Sequence, residues 1–303
     1  MADRITLARV IYEHPLAYVL GMEGLALLRS FTGEHDRGFV DARLTEIRKL
    51  LDDDTLANAA VDVVRADTVE GYQIWSTTYD GPNSAFDIDE PIVHEIVDAL
   101  PAGVALDAAC GTGRLAAYLA SRGHQVLGVD SSPDMLARAR ERVPQGEFHL
   151  GDLRLLPVPD DAVDLVACSL ALTHVAELDP VLTEFARVLR PGGHVVISDM
   201  HPEGVARGIS PPVRLADGRP ARVATYRHLI GDYIRAALAA GLQVRRCEEP
   251  LLHTGDEAVP PATETLGPWH LWPWALSDLV PEAARAAVAG TPSMVIWQFQ
   301  LAG

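Results

Sequence analysis

Positive charge is scarce in this 303-residue chain: Lys and Arg number 25 against 42 Asp and Glu, a formal net charge of −17. Binding to a phosphate backbone relies on Lys and Arg, so this balance argues against nucleic acid as a substrate. It argues equally against docking on an anionic membrane surface. Cysteine is scarce too. Cys110, Cys168 and Cys247 are odd in number and isolated, which argues against a disulfide framework or a zinc site and for a reducing, cytoplasmic setting. No apolar run is long enough to span a bilayer. Pro15 to Leu28 comes nearest, but Gly21, Glu23 and Gly24 interrupt it, and it reads as a buried helix. The first residues carry Asp3 and Arg4 and show no leader pattern. Aromatic residues make up only 6% of the chain.

What is present is an ordinary globular composition, 48% hydrophobic and 22% charged, and three differently patterned regions. Residues 1–70 read as helices and are expected to form a cap or a dimerisation arm, which makes a homodimer the expected assembly. Residues 71–303 are expected to form the main domain. Within it, strand and helix patterns alternate to about residue 200, which implies a parallel sheet covered by helices on both faces. Two further strands are expected at 242–248 and 293–301. The stretch between them, about 250–292, is long for a connection and is expected to be a substrate lid.

The most informative stretch is Val104 to Arg114, an apolar strand running through Asp107, Ala108, Ala109 and Cys110 into Gly111-Thr112-Gly113 and then a helix. A second apolar strand ends on Asp130. A strand, a small-residue turn, a helix and an acid-tipped second strand together make a nucleoside-binding unit, the acid accepting from ribose hydroxyls. A dinucleotide site is one reading, with Ala116 in the place of a third glycine, and an NAD-dependent dehydrogenase is the corresponding alternative function. Asp107 disfavours it, because an acid just before the turn repels a pyrophosphate. It suits a cationic ligand. Gly151-Asp152-Leu153 follows the third strand, where a carboxylate can accept from an adenine amino group and a leucine can cover the ring.

These segments resemble the class I S-adenosylmethionine-dependent methyltransferases of the broad small-molecule type that includes quinone-biosynthesis enzymes. The resemblance rests on Asp107 to Gly113, Gly128 to Leu136, Gly151-Asp152-Leu153, Asp164-Leu165-Val166 and Leu189-Arg190-Pro191-Gly192-Gly193. It implies a Rossmann-like α/β fold with a seven-stranded sheet, the last strand antiparallel. The implied function is methyl transfer from S-adenosylmethionine to a small organic acceptor. A related protein that holds the cofactor but performs a non-methylating reaction is the alternative. By carry-over, Ala108, Gly111 and Gly113 lie against the methionine part, and Asp107 orients its amino-acid end. Asp130 binds the ribose, Ser131 and Met135 flank the adenine, and Asp152 with Leu153 reads its edge. Tyr79 and Ser169 complete the cofactor site. The family often carries glycine where Ala109 stands. Ala109 is expected to keep strand-like dihedrals, since alanine does not adopt a positive φ cheaply.

On the acceptor side, His174 and His201 follow the fourth and fifth strands, at the sheet edge where α/β sites form. Histidine titrates near neutrality, so both are candidate bases, with helix capping or loop positioning as the structural alternative for His174. Asp199 and His201 without a third ligand are too few for a metal site, and none is expected. Trp269, His270, Trp272 and Trp274 fall in one short run of the expected lid and are candidate pocket walls, or packing residues.

Overall fold

The parallel strands form because their residues are apolar on both sides, as a sheet covered by helices on both faces requires. Val163, Leu165, Val166, Ala167 and Cys168 are all buried along one of them. The computed structural model describes residues 10–76, 79–81, 84–252 and 258–303. Residues 253–257 of the expected lid lie outside them. The described chain divides into two units, 67–207 with 224–250 and 292–303, and a smaller one made of 10–66, 208–223 and 251–291.

The larger unit runs α1 (Thr68–Trp75), α2 (Ser84–Asp98), β1 (Val104–Ala108), α3 (Arg114–Ser121), β2 (Gln125–Asp130), α4 (Pro133–Arg142), β3 (Glu147–Leu150) and β4 (Val163–Ser169). It continues with α5 (Leu178–Val188), β5 (Leu189–Met200), α6 (Pro202–Ala206), α7 (Ile230–Ala239), β6 (Leu242–Glu248) and β7 (Met294–Leu301). The sheet order is β6-β7-β5-β4-β1-β2-β3. All neighbours are parallel except β7, which runs antiparallel to both β5 and β6. The seven-stranded α/β sheet expected from the sequence is therefore present.

Local chemistry sets the helices. The Ser132 hydroxyl accepts from the Met135 amide at the start of α4, Pro133 occupies its first turn, and Arg140 and Arg142 lie in its last turn. Each feature complements the helix end where it sits. In α5 the apolar positions Val181, Leu182, Phe185 and Val188 are buried. Their helical spacing lays one face on the sheet.

The smaller unit has its own core. Val19, Met22, Ala26, Leu50, Leu56 and Val63 pack with Trp269, Trp272, Leu276 and Ala283. A four-stranded sheet orders Val10–Glu13, Val61–Ala66, Pro220–Val223 and Pro212–Arg214. Buried Arg222 grips Glu13 at 2.7 and 2.9 Å through Nε and one terminal nitrogen, and donates to the Trp272 carbonyl at 2.9 Å. Arg43 reaches Glu23 at 3.2 Å and Glu282 at 2.6 Å. Residues 10–66 thus join the described part of the 251–291 stretch in one unit, where the sequence reading kept them in separate domains.

Two of the four candidate pocket-wall residues are corrected by this packing. Trp269 and Trp272 are buried in the core of the smaller unit. Their indole N–H groups donate to Glu13 at 3.0 Å and to the Leu266 carbonyl at 2.9 Å. A large ring with its one donor satisfied is what a packed interior favours. His270 and Trp274 are exposed.

Candidate functional site

The carboxyl ends of β1, β2, β3 and β4 bring their following turns to one edge of the sheet, and a cavity of about 350 Å³ opens there. Tyr79, Gly111, Asp130, Ser131, Asp152, Leu153 and Ser169 line it, as do Ala109 and His174. Seven of the eleven expected cofactor residues, and one of the two candidate bases, therefore meet at a common cavity.

The first turn is built from unusual backbone. Gly111 has φ +52° and Gly113 φ +80°, values that favour glycine. A side chain on Gly111 would meet no protein atom within 4 Å, whereas one on Gly113 would lie 3.0 Å from the Ala139 Cα of α4. The two glycines therefore differ in purpose. Gly111 keeps its backbone open to the cavity. Gly113 allows α3 and α4 to approach, and it does not line the cavity as expected.

Ala109 departs from the sequence expectation: its φ is +63°, in the left-handed region. The strand must leave the sheet here so that the Cys110 amide can donate to the Val129 carbonyl at 3.0 Å and the Gly113 amide to the Cys110 carbonyl at 2.8 Å. An L-residue in this region costs about 1–2 kcal/mol. Ala109→Gly is expected to stabilise the fold by up to about 1 kcal/mol, once the extra chain entropy of glycine is subtracted. The midpoint of denaturant unfolding measures this, and a drop in midpoint would show that the alanine methyl contributes more than its strain costs.

Asp130 sits at the tip of β2 with backbone amides holding both of its oxygens. The Gly111 amide donates to Oδ2 and the Ser132 amide to Oδ1, each at 2.8 Å. Burial pushes its pKa up, and these backbone donors oppose the shift. A carboxylate has about four acceptor sites, so Asp130 keeps capacity to accept from a diol. Asp152 is half-exposed and is held below the usual carboxylate range by Arg154. The Arg154 guanidinium reaches its two oxygens at 2.9 and 2.5 Å.

Asp107 is buried and does not line the cavity, and its Oδ2 has no hydrogen-bond partner among the described residues. Burial pushes its pKa up to about 7, against the lowering effect of Arg114. Ala108 and Met135 are also buried and do not line the cavity. Met135 shares the inner face of α4 with Leu136 and Ala139, so the carry-over that placed it beside adenine is corrected.

On the acceptor side the two histidines part company. His174 lines the cavity. Its Nδ1 lies 2.7 Å from the Ala224 carbonyl and its Nε2 2.9 Å from the Tyr72 hydroxyl. A carbonyl only accepts, so Nδ1 carries the proton and Nε2 offers its lone pair to Tyr72. His201 is buried away from the cavity and caps α6. The Glu203 amide donates to its Nδ1 at 3.2 Å, and its Nε2 lies 2.8 Å from Glu249. With its lone pair used by the backbone it cannot take a proton from a ligand, and the candidate-base assignment is corrected. Asp199 is fully buried, accepting from the Thr173 and Met200 amides at 2.5 and 2.7 Å and from the Thr173 and Tyr233 hydroxyls.

Sequence reasoning missed Tyr72, Arg154, Asp67 and Tyr226, all of which line the cavity. Tyr72, Trp75 and Tyr79 are spaced as one helical face, and that spacing was a usable signal. In the Trp75–Asp80 run, Thr77 and Thr78 lie outside the described residues. Asp80 is held to Thr112 at 2.7 Å and to Arg142 at 2.6 Å, which ties this segment to the glycine turn and to the end of α4.

A methyltransferase-domain family profile matches residues 106–197, which carry the turn, Asp130 and β1 to β5. The chain carries a class I S-adenosylmethionine-dependent methyltransferase domain. A solved S-adenosylmethionine-dependent methyltransferase from Mesorhizobium loti is 25% identical with a TM-score of 0.50, over 73% of this chain and 99% of that one. The malonyl-[acyl-carrier protein] O-methyltransferase of Yersinia pestis is 37% identical over 97 residues, 32% of this chain and 36% of that protein. The demethylmenaquinone methyltransferase of Chlorobaculum parvum is 43% identical over 89 residues, 29% of this chain and 37% of that protein. The chain spans about a third of the length of the curated relatives it matches.

The residues present fit the cofactor. Asp130 offers acceptor oxygens to a ribose, and the open face of Gly111 leaves room beside the turn.

Proposed function

We propose that this protein transfers a methyl group from S-adenosylmethionine to a small organic acceptor. The observation that carries the reading is Asp130. It is held by two backbone amides at the edge of a cavity that Gly111, Ser131 and Leu153 also line. Bound there, the cofactor supplies an electrophilic methyl group on sulfur. The chain's own residues do the rest. Asp130 and the glycine turn position the nucleoside end. Tyr79, whose hydroxyl burial pushes up to about 12, stays a neutral donor at the cavity wall. Alignment of donor and acceptor and exclusion of water supply the acceleration.

The two relatives named above act on different acceptors, so likeness to them does not choose one. The acidic surface favours a compact organic acceptor over nucleic acid. No helix among the described residues is long and apolar enough to cross a membrane.

Titration of the full chain with S-adenosylhomocysteine in a calorimeter tests the reading. Binding with a dissociation constant on the order of micromolar is expected, equivalent to about 8 kcal/mol. Absence of heat with S-adenosylhomocysteine at millimolar concentration would refute it.

A further inference from the structure

Methyl transfer needs a proton acceptor only when the accepting atom starts with a proton on it. The cavity contains one built for this. Tyr72 and His174 both line it, their hydroxyl and Nε2 are 2.9 Å apart, and the far side of the imidazole is fixed by Ala224. The rings meet edge-on at 5.3 Å. We propose that Tyr72 and His174 act as a relay that removes the proton of the acceptor, which is therefore a neutral hydroxyl or amine and not a carboxylate. The inference rests on the methyl-transfer reading above.

The charge of the cavity points the same way. Asp67, Asp130 and Asp152 line it against one cation among the described lining residues, Arg154, which is already paired with Asp152. A carboxylate acceptor would meet these acids without a free cation to receive it. It would also need no base, being ionised at neutral pH. A neutral hydroxyl or amine escapes both problems.

The acceptor's proton passes to the Tyr72 oxygen while Tyr72 gives its own proton to His174 Nε2. The electron pair left on the acceptor atom forms the bond to the methyl carbon. The carbon–sulfur pair stays on sulfur, which ends as a neutral thioether. The imidazolium keeps its Nδ1–H on the Ala224 carbonyl and lies within the field of the buried Asp199 carboxylate.

The groups around the pair set its titration. Tyr72 and Asp67 come from α1 and its cap, Asp199 from β5, Asp130 from the tip of β2, and Asp152 with Arg154 from the turn after β3. Tyr79 packs 5.8 Å from Tyr72, and Tyr226 lines the cavity as well. His228 is turned to the Leu172 and Val175 carbonyls beside the loop. Burial lowers the His174 pKa below its ordinary 6.5, with the Ala224 contact and Asp199 opposing, and burial raises that of Tyr72. At neutral pH the resting pair is thus a neutral imidazole and a neutral phenol.

Residue-resolved acylation of the full chain by diethyl pyrocarbonate between pH 5 and 9, read by mass spectrometry, tests the Nε2 lone pair that Tyr72 engages. His174 is expected to react with a midpoint below its ordinary 6.5. Tyr72→Phe, which keeps the ring and removes the hydrogen bond, should speed the reaction several-fold. His201, whose lone pair is taken, should stay unmodified and serves as the internal control. A His174 that never reacts, or one indifferent to Tyr72→Phe, would overturn the relay. S-adenosylhomocysteine binding by the same samples separates the two claims: failure to bind removes the methyl-transfer reading, whereas binding with an inert His174 removes only the relay.

A second arm uses S-adenosylmethionine with a labelled methyl group and a small-molecule cell extract. His174→Asn is expected to cut alkali-stable label by about 100-fold, the usual scale of a lost general base. The deficit should shrink as the pH rises. Undiminished label in His174→Asn would overturn the proposal. So would label released by alkali, which would mark a methyl ester and hence a carboxylate acceptor.

Discussion

Asp130→Ala is expected to weaken S-adenosylhomocysteine binding by about 100-fold or more. Hydrogen bonds to a charged group contribute about 1.5–3 kcal/mol each, and about 1.4 kcal/mol is a factor of ten in affinity. A carboxylate holding two ribose hydroxyls therefore accounts for at least two decades. The substitution also leaves the Gly111 and Ser132 amides without their acceptor, so the turn itself loosens. Asp130→Asn keeps one acceptor oxygen and no charge, and should fall between Ala and the native residue. Calorimetry on both variants, with thermal unfolding as a check on the fold, measures the effect. Affinity within threefold of the native protein would place the ribose elsewhere.

Asp107→Asn should raise stability at pH 8 and leave it nearly unchanged at pH 4. Burial raises the pKa of Asp107 in the folded protein from an ordinary 3.8 to about 7. A raised acid favours its neutral form in the native state. Its burial therefore costs nothing below the unfolded pKa, costs more as the pH climbs between the two values, and costs the full amount above the folded one. A shift of this size corresponds to an upper bound on the order of 4 kcal/mol. Asparagine has no charge to bury, so the variant escapes the penalty above pH 7. A variant less stable than the native protein at pH 8 would show that attraction to Arg114 outweighs the cost of burial.

The alternating strands and helices of residues 104–200 were legible because each is a local pattern. Apolar runs, Ser132-Pro133 and the glycine turn announce themselves without reference to distant chain. That Asp130, Ser131 and Leu153 reach the cavity follows from their places at the carboxyl ends of recognisable strands. Met135 was misplaced although Leu136 and Ala139 mark the same buried face of α4. Periodicity along the helix was the better guide there. The left-handed Ala109 was not legible, because a tertiary hydrogen bond between Cys110 and Val129 imposes it against the residue's own preference. His174 and His201 were both candidate bases in the sequence, with the capping alternative attached to His174. What distinguishes them is which nitrogen each gives to the backbone, and that depends on loops far away in the chain. The smaller unit was the least legible part. Its strands are as short as Pro212–Arg214 and its core draws on segments more than two hundred positions apart.

That patchwork has an outcome for biosynthesis. The helix at Pro15–Leu28 leaves the ribosome well before Trp269, Trp272 and Ala283, against which it belongs. Until then its apolar side has no native cover, and nascent chains generally expose such surface to misassembly while they wait. A chain interrupted before residue 269 would carry the glycine turn and Asp130 in full, but its first helices would be left permanently without the tryptophans that close their interior.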